Sequence, residues 1–204
     1  MSNIIWDFDG TIADSMPVVM ELFYAQTGLK PFSKEKVEAL RNMTLKQVLR
    51  EVGIPLWQVP RILVKERAAF GRRLSEVPVF DGVEPALKQL HEAGHKMVVM
   101  SSNSPENIRR FLHQHDISKY FLEIHGNTGL FGKTSAIKLI LRKYKWHAED
   151  CYMIGDETRD VDAGKKAGLF TIAVNWGYNG EEILKQHNPD EFISNVHQLT
   201  KLIQ

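Results

Sequence analysis

Near the start of the chain two carboxylates stand two residues apart, in the stretch "IIWDFDGTIADS". Asp7 and Asp9 follow Ile4, Ile5 and Trp6, whose unbroken apolar run reads as a buried strand, and they precede Gly10 and Thr11. Carboxylates at the rim of a core are costly to desolvate, so something has to offset them. A hard cation such as Mg²⁺ would do so, because it takes one or two carboxylates together with oxygens of a phosphorylated substrate. The plainer alternative is a strand end whose aspartates cap the next turn.

Other polar residues end apolar runs further along. Ser101, Ser102 and Asn103 follow "HKMVVM", Asp156 follows "CYMIG", and Lys133 opens a helical pattern after the loop "GNTGLFG". The elements that must position them alternate in type. The runs at 4–6, 95–103 ("HKMVVMSSN", ending in small polar residues), 121–125, 151–156 ("CYMIGD", ending in a carboxylate) and 169–174 read as strands, with a short one near Phe192. Between them lie helical patterns, with Leu87 and Leu90, Ile108, Phe111 and Leu112, and Ile137, Ile140, Leu141 and Tyr144 on inward faces. Strands that are apolar throughout, alternating with helices, predict a doubly wound parallel α/β sheet covered on both faces. Ligands bind off the carboxyl ends of such strands, where these polar residues fall.

Residues 16–76 break the alternation, for no strand is expected there. Met16, Val19, Met20, Phe23 and Tyr24 recur at helical spacing and Gly28 closes the segment. Asp14 or Ser15 can cap this helix, Ser33 a second, and Thr44 with Gln47 makes a capping box for a third. A fourth begins near Pro60. The expected organisation is an α/β unit over residues 1–15 and 77–204 with an all-helical insert at 16–76.

The 204 residues are 43% hydrophobic and 25% charged with a net charge of +1, the balance of an ordinary soluble protein. There is no basic field for nucleic acid and no acidic tail. The single Cys151 cannot close a disulfide within the chain, so nothing points to an oxidising compartment. No signal segment and no apolar run of about 18 residues is visible, so a cytoplasmic location with no membrane partner is the expectation. The eight histidines show no metal-ligand spacing. Cys151 reads as an inert core residue, and the four tryptophans and the apolar stripes of 16–76 read as core. Glu157, Arg159 and Asp162 read as surface or capping residues.

Taken together these positions resemble the haloacid dehalogenase-like superfamily of phosphohydrolases along the whole chain. "DFDGT" at 7–11 is similar to its first motif, Ser101 to its second, Lys133 to its third and "GDETRD" at 155–160 to its acidic fourth. The helical insert resembles the cap of the subgroup that holds phosphoglycolate phosphatases and β-phosphoglucomutases. "GDETRDVDAGKKAG" and "WGY" look most like the phosphoglycolate phosphatase type. The resemblance implies a phosphatase acting on a small phosphorylated metabolite, as a monomer or homodimer. It casts Asp7 as nucleophile and Asp9 as acid and base. Mg²⁺ would sit on Asp7, the Asp9 main-chain carbonyl and Asp156. Ser101 would bond a phosphoryl oxygen, with Ser102 competing for that place, and Lys133 would neutralise charge on the phosphate and on Asp7. Asp160 would orient Lys133 or metal-bound water, with Thr11 and Asn103 as supporting polar groups. Arg41 and Asn42, between two helices of the insert, could reach the site from above.

The rivals weigh less. A P-loop needs four residues between its glycines, but Gly126 and Gly132 are separated by five and Asn127 holds the required place. Dehalogenases and phosphonoacetaldehyde hydrolases of the superfamily typically lack the second aspartate, which Asp9 supplies. A phosphomutase keeps both aspartates and stays open. A non-catalytic binding module on the same fold would have no need of all four motifs.

Overall fold

The computed structural model describes residues 1–129 and 132–203. Six strands form its sheet: β1 (Asn3–Trp6), β2 (Lys96–Met100), β3 (Phe121–His125), β4 (Cys151–Gly155), β5 (Phe170–Val174) and β6 (Glu191–Ile193). They stand in the order β3-β2-β1-β4-β5-β6, and every pairing is parallel. The fold is therefore the expected α/β, doubly wound, Rossmann-like sheet. Connections step outward one way from β1 to β3 and the other way from β4 to β6, so winding reverses between β1 and β4. That reversal opens a crevice outside the carboxyl ends of the two central strands.

Alternation along each strand explains the two layers. Ile4 and Trp6 face one side with Met97 and Val99, where Leu87 and Leu90 of α5 (Val83–Glu92) and Ile108 and Phe111 of α6 (Pro105–Gln114) cover them. Ile5 faces the other side with Val98, Met100 and Met153, beneath Ile137 and Ile140 of α7 (Lys133–Tyr144) and Ala163 of α8 (Thr158–Ala167). Cys151 is buried in this second layer, as expected of a core thiol, and burial pushes its pKa up to about 11. Two short helices, α9 (Glu181–Gln186) and α10 (Leu199–Leu202), complete the wrapping.

Between β1 and α5 the chain is helical without a strand. Four helices take the first four places in chain order, before α5, and are written by letter: αA (Met16–Thr27), αB (Lys34–Arg41), αC (Leu45–Glu51) and αD (Val59–Arg72). Ser33 accepts from Lys36 N, and Thr44 and Gln47 cap each other's backbone, as the sequence predicts. Gly28, at φ 72°, closes αA in the left-handed conformation that glycine adopts without strain. Ser15 occupies the N-cap of αA but does not cap it; its hydroxyl meets the Tyr178 hydroxyl at 3.0 Å instead. The two crossings into the block pair with each other, Asp14 N donating to Pro78 O at 3.0 Å and Phe80 N to Ile12 O at 3.1 Å.

Trp57 departs from its expected core role, for it is 78% exposed on a turn before αD. The apolar stripes of the block depart too. Val18, Phe70 and Leu74 join the core above the sheet, but αC has no fully buried residue. Its Leu45, Val48 and Leu49 line a cavity instead.

Candidate active site

Register brings the two key loops together. Trp6 lies opposite Ile154 in the β1–β4 pairing, and Asp7 N donates to Ile154 O at 2.9 Å. Asp7 and Asp156 thus leave adjacent strands at one level. Gly10 takes φ 78°, and a Cβ there would fall 2.2 Å from the Asp156 carboxylate, so only glycine lets the turn pass this close.

Asp7, Asp156 and Lys133 are at most 2% exposed, so each polar head needs a partner. Lys133, the first residue of α7, donates its Nζ to Asp7 Oδ2 at 2.6 Å and to Asp160 Oδ1. Burial pulls its pKa down, but the charges of Asp160 and Asp7 outweigh that and hold it above the ordinary lysine value. These contacts offset the unfavourable helix macrodipole at a helix start. Asp160 also accepts Glu157 N on its other oxygen. Its carboxyl is pushed up to about 7, by burial first and by Asp7 next, against the pull of Lys133.

Asp156 accepts Thr11 Oγ1 on one oxygen and Tyr178 N on the other, each at 2.7 Å. Thr11 therefore acts on this carboxylate. Burial, with the charges of Glu157, Asp7 and Asp160, raises the Asp156 pKa well above its ordinary value. Oxygens of Asp7, Asp156 and Asp160 lie within 4.8 Å of one another. This buried concentration of negative charge, with lone pairs to spare, fits a hard divalent cation.

Asp9 faces the cavity. Ser101 Oγ donates to its Oδ2 at 3.3 Å and Asn103 Nδ2 at 3.2 Å. Burial, then the charge of Asp7, raises its pKa to about 6, while hydrogen bonds from Asn103 and Ser15 and the charge of Lys133 pull down. Ser101 is thus held on Asp9 and also accepts Asn103 N at 2.9 Å, while its neighbour Ser102 lines the cavity.

The structure also brings in residues that the sequence reading left aside. The loop 176–179 packs on the first motif, with Trp176 Nε1 donating to Thr11 O at 3.1 Å. Asn179 Oδ1 accepts Thr158 N, and its amide donates to Arg41 O and Met43 O. Arg41 lines the same cavity as Asp9, and its guanidinium donates to Tyr178 O at 3.3 Å and Gly177 O at 3.1 Å, fastening αB to that loop. Glu157 and Arg159 are mostly buried and line the cavity, and Glu157 takes the N-cap of α8, the capping place the sequence allows it. They form a forked pair at 2.6 and 2.5 Å, with Arg159 Nη1 buried and unpartnered. Asp162 does stay near the surface, against His187. Glu66 on αD also lines the cavity. A signal for it exists in the sequence: it continues the stripe of Val59, Ile62, Leu63 and Phe70 at helical spacing, a charge where an apolar residue is due. Of the loop "GNTGLFG", Leu130 and Phe131 lie outside the described residues.

The family profile of haloacid dehalogenase-like hydrolases matches residues 4–174. A phosphoglycolate phosphatase of Synechococcus elongatus is 31% identical over 206 residues, covering 100% of this chain and 97% of its own. Pyrophosphatase PpaX of Listeria innocua is 24% identical over 211 residues, covering 100% and 97%. A haloacid dehalogenase-like hydrolase family protein of Streptococcus pneumoniae shares the fold, with a TM-score of 0.82 at 17% identity, over 100% of this chain and 99% of that one. The chain belongs to the haloacid dehalogenase-like hydrolase family. It is an enzyme of that family's phosphatase kind. No helix among the described residues is long and apolar enough to cross a membrane.

Proposed function

We propose that the protein is a Mg²⁺-dependent phosphatase that hydrolyses a small phosphorylated metabolite through an aspartyl-phosphate. One observation carries the reading: two carboxylates two residues apart sit in different settings. Asp7 is ion-paired with Lys133, while Asp9 is held toward its protonated form at the edge of the cavity. Environments that separate two carboxylates in this way assign them different roles.

Asp7 attacks phosphorus, and the bond from phosphorus to the leaving oxygen breaks as the acyl phosphate forms. Asp9, with a pKa near neutrality, gives its proton to the departing alkoxide. It then takes one from the water that cleaves the acyl phosphate, restoring Asp7 and releasing phosphate. Ser101 and Asn103 hold Asp9 in place, and Lys133 balances charge on Asp7 and the phosphoryl group. Asp160 orients Lys133 from the far side. A Mg²⁺ ion on Asp7, the Asp9 carbonyl and Asp156 would neutralise the phosphate beside its nucleophile. Residues 16–76 act as a cap that excludes water, hinged at the paired crossings near Asp14 and Phe80.

The names of the relatives put phosphoglycolate and pyrophosphate first on a panel of phosphorylated compounds. Phosphate release is expected to need Mg²⁺, to vanish with chelator, and to fall at least about a thousandfold in Asp7→Asn with the fold intact. Turnover by Asp7→Asn at the wild-type rate would end the aspartyl-phosphate reading, and full activity in chelator would end the metal reading.

A further inference from the structure

Two cavities lie along the seam between the helical block and the sheet loops. One, beside Asp9, has Glu66 in its lining. The other measures about 510 Å³, within the roughly 300–1,000 Å³ of small-molecule sites. It lies at the two crossings, where Asp14 leads into the block and Phe80 and Asp81 lead out of it, and Trp176, Val196 and His197 join its lining. The carboxylates of Asp14 and Asp81 line it, and no lysine or arginine does. Among the described residues neither carboxylate has a hydrogen-bond donor or an ion-pair partner. Each precedes a helix, αA or α5, whose dipole favours a carboxylate there without supplying a partner. Burial pushes the Asp14 carboxyl above its ordinary value, and no charge or donor pulls it back. Phe80 and Trp176 are half-buried, with ring centroids 6.5 Å apart and planes tilted by 60°.

We propose that this groove is a binding site for a small organic ammonium ion. Carboxylates beside aromatic faces suit that chemistry, because the charge meets both the carboxylates and the ring quadrupoles while the carbon lies against the rings. A metal ion would gain nothing from the carbon of the walls and would fill a fraction of the volume. An organic anion would face two carboxylates with no lysine or arginine to offset them. Asp14 and Asp81 stand on different crossings, so an ion held by both ties the crossings together. It thereby favours the paired arrangement in which Asp14 N donates to Pro78 O and Phe80 N to Ile12 O. The binding does not depend on the phosphatase reading, and the groove uses none of the residues that carry it.

The test is calorimetric titration of the whole protein, at constant ionic strength, with phenethylammonium chloride beside its neutral counterpart 2-phenylethanol and the anionic 3-phenylpropionate. The ammonium compound is expected to bind at least about tenfold more tightly than either. Asp14→Asn and Asp81→Asn should each weaken it by about fivefold, and Phe80→Leu by about threefold. At ten times its dissociation constant it should slow amide hydrogen exchange at Asp14 and Phe80 by about tenfold, since the paired crossings are the form it binds. Circular dichroism checks each variant, and if Asp14→Asn collapses, the exposed Asp81→Asn and Phe80→Leu decide. Equal binding of the alcohol overturns the proposal, as does binding that neither aspartate variant weakens. Displacement by an equal concentration of Mg²⁺ overturns it in favour of a metal site. Binding that leaves exchange at Asp14 and Phe80 unchanged overturns its placement at the crossings. Phosphate release is not read in any of these measurements, so failure here leaves the phosphatase standing.

Discussion

Ile154 and Leu49 both look like core residues in the sequence, yet only the first is fully enclosed. Ile154 sits in the central strand β4 between two layers of side chains, and the residues just beyond it carry the chemistry. Leu49 sits on αC, a helix with no fully buried residue, and faces the cavity. Around Ile154 each polar group of the site has named partners: Lys133 has two carboxylates, Asp156 a hydroxyl and an amide, Asp9 a serine and an asparagine. Around Leu49 the walls are apolar and shaped to a space. On the proposed reading, the contrast assigns the reaction to a rigid sheet edge and selection among substrates to helix faces that pack less fully.

The contrast breaks if the two regions respond alike to truncation. Phe111 is fully buried and meets the ring of Phe8 edge-on at 5.0 Å. Phe111→Ala should cost about 3–5 kcal/mol, the usual cost of emptying a packed aromatic site. Leu49→Ala removes a side chain that already borders open space and should cost about 1 kcal/mol. Denaturant unfolding of both variants beside wild type measures the difference. Equal losses would show that the helical block packs as the sheet does, and that the cavity lining is ordinary core.

The same division explains what could be read in advance. A strand announces itself by an unbroken apolar run, and the polar residue that ends it is placed by the sheet alone, so Asp7, Ser101 and Asp156 were legible one by one. Lys133 gained its place from motif order, since a lysine at a helix start reads as solvated until two carboxylates are found against it. The helices of residues 16–76 were legible as helices from caps and spacing. Their interior was not, because an amphipathic stripe has the same sequence whether it meets another helix or a cavity. Arg41 illustrates the limit: its place between two helices points toward the cavity it lines, but the carbonyls of Gly177 and Tyr178 that hold it lie more than a hundred residues away in sequence. Glu157 takes the capping place open to it in the sequence, but the burial of Glu157 and Arg159 is not legible there, because charged residues are usually exposed and the pairing that offsets burial appears only in the fold.

Asp9 stands where the two regions meet, and its replacement sharpens the comparison. Asp9→Asn keeps the side chain's shape and its neighbours Ser101 and Asn103 but removes the proton that can be passed. Turnover of alkyl phosphates, whose alkoxides leave poorly, should fall about 10²–10³-fold. An activated aryl phosphate, whose phenolate leaves unaided, should lose about tenfold or less. Steady-state kinetics on both substrates decide the matter. Equal losses would show that Asp9 holds the site together without donating a proton.

Glu66 gives the smallest effect and the one most particular to the seam. Burial first, and the charge of Asp9 second, push its carboxyl from an ordinary 4.5 up to about 7, with Arg67 pulling the other way. A folded-state value raised above the unfolded one means that the folded protein holds this proton more tightly. The resulting stability is fully present below about pH 4.5 and is lost as pH rises through about 7. Glu66→Gln keeps the shape and removes the titration. Wild type should therefore lose about 1–2 kcal/mol relative to the variant between pH 4.5 and pH 8, a figure reduced for the carboxyl's remaining contact with solvent. Denaturant midpoints at the two pH values measure it. A difference that does not change with pH would mean that Glu66 titrates as a solvated residue, and that the seam carries no buried carboxyl beside Asp9.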